Sequence, residues 1–160
     1  GGGGGVLVKV SDFGLAACLD CPEDVAPKDF VGTPQFMCPQ RLQGLPYDHT
    51  TDVWALGCVM YQLATLRNAF ELPHGMHIGN GNVVALEALK ARVAKGSPGT
   101  LPDHLPKPLR AFIRQCFAFD GAKRPALAKV VTEPWLQKAR QEVDLLHLLA
   151  IPHMPPPAQQ

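Results

Sequence analysis

The chain has no excess of charge of either sign: 15 Lys and Arg stand against 14 Asp and Glu, a formal net charge of +1 at pH 7 over 160 residues. Nucleic acid and anionic membrane surfaces are held by dense positive charge, so neither is an expected partner. Long apolar runs are missing too. The most apolar stretch, Leu56 to Leu66, is interrupted by Gln62 and falls short of the roughly 20 residues that span a bilayer. It reads as a helix inside a globular core. No charged-then-apolar N-terminal signal is present, and a cytosolic or nuclear setting is the default expectation. The five cysteines, Cys18, Cys21, Cys38, Cys58 and Cys116, are odd in number and scattered, which argues against a disulfide framework. Cys18 and Cys21 form a lone Cys-x-x-Cys without a second ligand pair, so zinc is not expected.

What is present is enough apolar residue, 46%, to bury one sizeable core. The pattern is mainly helical. Tyr47 to Asp52 supplies cap-type residues, and a helix is expected from about Thr51 to Leu66. Val83, Leu86, Leu89, Ala91 and Val93 suit an amphipathic helix stopped by Gly96-Ser97-Pro98-Gly99. Leu109, Phe112, Ile113, Cys116 and Phe117 form another stripe behind Pro108, a good first-turn residue. Leu127 to Val131 and Trp135 to Leu149 complete the set. Pro73 to Asn82, rich in Gly and His, reads as the most mobile loop. Residues 1–5 are a Gly-rich low-complexity run, 6–150 the folded part, and 151–160 a Pro-rich disordered tail.

Two segments carry chemistry. The first is Val6 to Gly14. Its β-branched residues favour a short N-terminal strand. Asp12 at the strand exit offers the hard carboxylate oxygen that Mg²⁺ selects. Phe13 is expected to bury its ring and fix the direction of that carboxylate, and Gly14 to let the backbone turn sharply. The second is Gly32-Thr33-Pro34-Gln35-Phe36-Met37-Cys38-Pro39-Gln40, a turn leading into a Pro-Gln pair. From Asp-Phe-Gly to Pro-Gln this layout resembles the activation segment of a eukaryotic protein kinase. Further on, Asp52-Val53-Trp54-Ala55-Leu56-Gly57 resembles the start of the central helix of the kinase C-terminal lobe. Asp120-Gly121-Ala122-Lys123-Arg124-Pro125 resembles its late Arg-Pro loop, and Glu133-Pro134-Trp135-Leu136 the end of its closing helix. The Gly-Thr-Pro form is similar to the Ser/Thr branch, and Asp29 to Pro34 and Trp54 to Leu63 are most similar to NIMA-related kinases.

The resemblance implies a mainly α fold: a protein-kinase-like C-terminal lobe with a short N-terminal strand and the activation segment, over residues 6–150. It implies Ser/Thr kinase activity, transfer of the ATP γ-phosphoryl group to protein hydroxyls. Asp12 would hold Mg²⁺ and nucleotide, Phe13, Gly14, Asp29, Gly32 and Thr33 would belong to the activation segment, and Gln40, Asp52, Trp54 and Arg124 would be structural. Thr33 and Phe36 would line the acceptor site. ATP, Mg²⁺, protein substrates and an N-terminal lobe in the same polypeptide are the implied cofactors and partners.

The parts that kinases place before Asp-Phe-Gly are absent from these residues. Only eleven residues precede Asp12, five of them Gly, without the spacing of a nucleotide loop. A strand Lys, its helix Glu and the catalytic Asp and Asn are missing as well, so these residues alone are expected not to phosphorylate anything. The family ends its segment with Ala-Pro-Glu or Ser-Pro-Glu, whose Glu pairs with the late Arg; here position 40 is Gln. A buried Arg124 without its counter-charge costs roughly 3–5 kcal/mol, less if partly exposed or if another acid takes over. Between Leu15 and Val31 there is no Ser, Thr or Tyr, so no hydroxyl there can be phosphorylated to switch the segment. Asp29 sits where many relatives place that hydroxyl and supplies one fixed negative charge. A degenerate kinase serving as a scaffold, and a helical interaction module, are the alternative readings.

Overall fold

The computed structural model describes residues 9–16, 32–78 and 82–141. The chain divides into two compact units, Phe13–Leu127 and the combined segments Gly1–Asp12 and Ala128–Gln160.

In the larger unit, four helices follow one another: α1 (Pro39–Gln43), α2 (Thr50–Thr65), α3 (Val83–Ala94) and α4 (Lys107–Cys116). Helix α2 is the axis of the unit, packed by α4 and by the short 3-10 turns Pro34–Phe36 and Gly121–Lys123. It begins where the Asp48 carboxylate accepts the Thr50 N–H at 2.9 Å, so one otherwise unpaired helix donor is satisfied. Val53, Trp54, Gly57, Cys58 and Tyr61 fall on its buried face at three- and four-residue spacing. The helix ends on Leu66, held in left-handed backbone at φ 57°, whose N–H closes on the Gln62 carbonyl at 2.7 Å.

Three aromatic rings fill the centre. Trp54 stacks on Phe70 with centroids 5.3 Å apart, and Phe117 meets both edge-on at 5.2 Å. These are the offset and edge-to-face arrangements that the ring quadrupole favours. Cys58, Tyr61, Leu89, Val93, Leu101 and Ile113 surround them. Gly57 lets α2 and α4 approach: a Cβ there would lie 2.6 Å from that of Cys116 and 3.2 Å from the Phe117 ring.

Helix α3 differs from its expected face. Ala85, Leu89 and Val93 are buried, whereas Val83 and Ala91 are exposed and Leu86 is half-buried. The buried residues repeat every four positions on the face that packs against α1, and Asn82 caps the helix by accepting the Ala85 N–H at 3.1 Å. As expected, the helix stops at Gly96, whose φ is 62°. In α4, Phe112, Ile113 and Cys116 are buried and Leu109 half-buried, with Pro108 in the first turn. The loop from Pro73 is irregular through Ile78, and the Asn82 side chain bonds back to the His77 carbonyl at 3.1 Å.

The smaller unit carries the helical residues 134–141, and α5 (Leu127–Val130) leads into it. Glu133 closes the first turn of the 134–141 helix, its carbonyl accepting the N–H groups of Leu136 and Gln137 at 3.0 Å each. The fold is mainly α, and no strand occurs among the described residues. Lys9 and Val10 have no regular structure, and the rest of the expected strand, Val6 to Val8, lies outside the described residues. Among those residues no second strand is available for Lys9 and Val10 to pair with, as a ladder requires.

Candidate active-site segment and its anchor

At Asp12-Phe13-Gly14 the special backbone belongs to the acid. Asp12 is left-handed, at φ 62°, while Gly14, expected to supply the freedom, is not among the residues with positive φ. Left-handed backbone costs an ordinary L-residue roughly 1–2 kcal/mol; Asp and Asn tolerate it best because their short side chains bond locally. Phe13–Leu15 then form one 3-10 turn, closed by the Ala16 N–H on the Phe13 carbonyl at 3.0 Å. The Asp12 carboxylate is exposed, which suits a metal ligand. Phe13 departs from expectation: its ring is 69% exposed, so it does not fix Asp12 by burial.

The second segment is an ordered turn. Gly32, at φ 106°, hands the chain to Thr33, which is extended and precedes the 3-10 turn Pro34–Phe36. The Phe36 and Met37 N–H groups close on the Thr33 and Pro34 carbonyls, both at 3.1 Å. Thr33 is exposed, Phe36 is half-buried against the core, and Met37 and Cys38 are buried. A rigid base therefore presents an exposed hydroxyl. Asp29, the expected acidic stand-in, lies outside the described residues, as do Cys18 and Cys21.

The end of this segment is anchored on Arg124, which is only 6% exposed. Its Nη2 donates to Gln40 Oε1 at 2.8 Å and to the Phe119 carbonyl at 3.2 Å. Nε donates to the Ala118 carbonyl at 3.0 Å, and Nη1 to the Thr50 carbonyl at 3.0 Å and its hydroxyl at 3.3 Å. A guanidinium has five N–H groups, and these five contacts give each an acceptor. The Gln40 amide also donates to the Phe119 carbonyl, at 2.7 Å. Below the cation lies the Trp54 ring, 5.1 Å from the guanidinium carbon to the centroid, within cation–π range. The indole N–H is buried without an acceptor among the described residues, so packing and the cation hold this ring. Asp52 sits exposed in the first turn of α2, where a carboxylate favours the positive end of the helix dipole.

Gln40 and Arg124 are thus brought together from 84 residues apart, in contact with Trp54 through the guanidinium. What pattern reading missed is the other acid. Asp48 Oδ1 accepts the Thr50 hydroxyl at 2.5 Å, and that hydroxyl also faces Arg124. The Thr50 hydroxyl bond holds the Asp48 carboxyl below its ordinary range, against partial burial, with further lowering from the Thr50 N–H, His49 and Arg124. An open cleft of about 380 Å³ runs past Gln40, Tyr47, Asp48, Thr50 and Asp120. Away from the site, Cys58 and Cys116 are buried: burial first, then neighbouring thiols, pushes Cys58 up to about 12, and burial does the same to Cys116. No cluster of three metal-ligating side chains occurs among the described residues.

The family pattern described as "Protein kinase domain" matches residues 3–136. The mouse protein "Serine/threonine-protein kinase Nek5" is 33% identical over 133 residues, which are 83% of this chain and 19% of that protein. "Probable serine/threonine-protein kinase nek3" of Dictyostelium discoideum is 32% identical over 136 residues, 84% of this chain and 11% of that protein. Human "Serine/threonine-protein kinase Nek5" is 33% identical over 134 residues, 83% and 17% respectively. The chain spans a fifth or less of the length of these relatives.

Proposed function

The chain belongs to the protein kinase family, and from that premise we propose that it is the C-terminal-lobe part of a Ser/Thr kinase that moves the ATP γ-phosphoryl group onto protein hydroxyls. The observation that carries this reading is Asp12. An exposed carboxylate is held at the head of Asp-Phe-Gly in left-handed backbone, uncommon for a residue with a side chain, and such backbone clusters at functional sites. A single carboxylate fits Mg²⁺, which takes one or two from protein and completes its shell with phosphate oxygens and water. Bound there, Mg²⁺ would neutralise charge on the transferring phosphoryl group.

The remaining residues position. The Gly32–Phe36 turn holds Thr33 exposed on a buried base, as an acceptor platform requires. Gln40, Arg124 and Trp54 tie the end of that platform to α2. The alternative reading, a degenerate scaffold, rests on Gln40 and on the parts absent ahead of Asp12, and only the first of these grounds is met here. The Gln40 amide still joins Arg124 at 2.8 Å, so the junction survives the change.

The experiment has two arms. The 160 residues alone, titrated calorimetrically with Mg-ATP, are expected to show no micromolar binding, because one carboxylate cannot orient a triphosphate without the strand Lys and Gly-rich loop. A polypeptide carrying these residues together with those parts, the helix Glu and the catalytic-loop Asp and Asn is expected to phosphorylate Ser and Thr peptides. Micromolar binding in the first arm, or no transfer in the second, overturns the proposal.

A further inference from the structure

Arg124 is satisfied in hydrogen bonds but not in charge. All five acceptors are neutral oxygens, and the ion pairs Lys90–Glu87 and Arg110–Asp103 do not involve it. A guanidinium does not deprotonate in proteins, so a 6%-exposed Arg124 needs a negative charge nearby. The Thr50 hydroxyl provides a route to one. It has one proton and two lone pairs. Arg124 can only donate and an ionised Asp48 can only accept, so the order is forced: Arg124 Nη1–H to Thr50 Oγ1 at 3.3 Å, then Thr50 O–H to Asp48 Oδ1 at 2.5 Å. Each bond polarises the next in the same sense.

We propose that Asp48 is the counter-ion of Arg124, acting through the Thr50 hydroxyl in place of the carboxylate that position 40 lacks. Asp48 is then a positioning residue: it steadies the guanidinium that anchors Gln40, and so the end of the segment carrying Thr33. That last consequence rests on the kinase reading; the charge relay does not. Around Asp48 the other charged or titratable groups are Tyr47 and His49 beside it, Arg124, and Asp120 in the same cleft, whose Oδ1 accepts the Ala122 N–H at 3.0 Å. The competing role is local. Asp48 also caps α2 by accepting the Thr50 N–H, but Asn caps as well as Asp, so only the relay needs the charge.

The test is urea unfolding of the 160-residue chain with Asp48→Asn, in the wild-type and Gln40→Glu backgrounds. Asp48→Asn is expected to raise the unfolding equilibrium constant about five- to tenfold in the wild type, the difference between a charge-assisted hydrogen bond and the neutral one that Asn still makes. With a carboxylate at position 40 the same change is expected to fall below about twofold, because Arg124 then has a direct counter-ion. Thr50→Ser keeps the hydroxyl and should preserve the wild-type response to Asp48→Asn, whereas Thr50→Val should abolish it. An Asp48→Asn effect that is absent in the wild type, or equal in both backgrounds, overturns the relay and leaves only the cap. Should Thr50→Val fail to fold, the Gln40→Glu comparison still decides. In a phosphorylating polypeptide, Asp48→Asn should raise the peptide KM at unchanged ATP KM, with Gln40→Glu restoring it. If the folding cycle succeeds and this split does not appear, the catalytic consequence alone falls.

Discussion

Replacing Gln40 by Glu measures directly what the Arg124 junction gains from a charge. Two charge centres about 4 Å apart attract by roughly 4 kcal/mol at the effective dielectric of a protein surface. Three effects oppose this. The Gln40 amide loses its 2.7 Å bond to the Phe119 carbonyl, which costs about 1 kcal/mol. A half-buried carboxylate sheds part of its hydration. Asp48, across the same cleft, repels it and already serves Arg124 through Thr50. The net expectation is a stabilisation of about 1 kcal/mol, the upper end for partly exposed pairs. With a urea slope of 1–3 kcal/mol per molar, the midpoint should rise by roughly 0.3–1 M. Fluorescence reports the transition, because Trp54 is fully buried in the folded state. The gain should shrink at about 1 M salt, where the Debye length is near 3 Å. A lower midpoint would mean that the Phe119 bond outweighs the charge. An equal gain after Arg124→Met, or after Arg124→Lys if Met does not fold, would refute the pairing itself.

Leu66→Gly should stabilise the fold by about 0.5–1 kcal/mol in the same assay, because an 88%-exposed leucine in left-handed backbone contributes strain and little packing. Gly57→Ala should destabilise it by about 1–2 kcal/mol: a Cβ 2.6 Å from that of Cys116 forces α2 from α4, at a cost above the helix-propensity gain. Thiol labelling mapped by mass spectrometry should leave Cys58 and Cys116 unmodified at pH 8 until urea unfolds the chain; rapid native labelling would contradict their burial. The raised folded pKa of these thiols also sets a sign. Their contribution to stability is complete below about 9, the ordinary thiol value, and is lost as pH rises from there toward about 12.

Helix positions were legible because apolar spacing is a local property. The reading of Thr51 to Leu66 is met by Thr50–Thr65, and that of Leu109 to Phe117 by Lys107–Cys116. The phase of α3 was not, since Val83 and Leu86 are no less apolar than Ala85; packing against α1, a non-local contact, turns the small alanine inward. The contact of Gln40 with Arg124 was readable only through the family pattern, as no local signal joins residues 84 apart. Asp48 and Thr50 were visible as cap residues but not as Arg124's neighbours, because that contact depends on how the 118–124 loop folds back over α2. The backbone at Asp12 and the exposure of Phe13 leave no trace in residue type: a glycine two positions later invites the special conformation, yet the acid adopts it.

Asp12 is proposed to serve phosphoryl transfer from a backbone shaped to present it. Asp12→Asn tests this most directly, since Asn tolerates the same left-handed conformation and removes only the charge. In a polypeptide that phosphorylates Ser and Thr peptides, initial rates of the variant are expected to fall more than about a hundredfold, with thermal unfolding unchanged. A variant that folds like the wild type and keeps more than about a tenth of its rate would contradict the role assigned to Asp12.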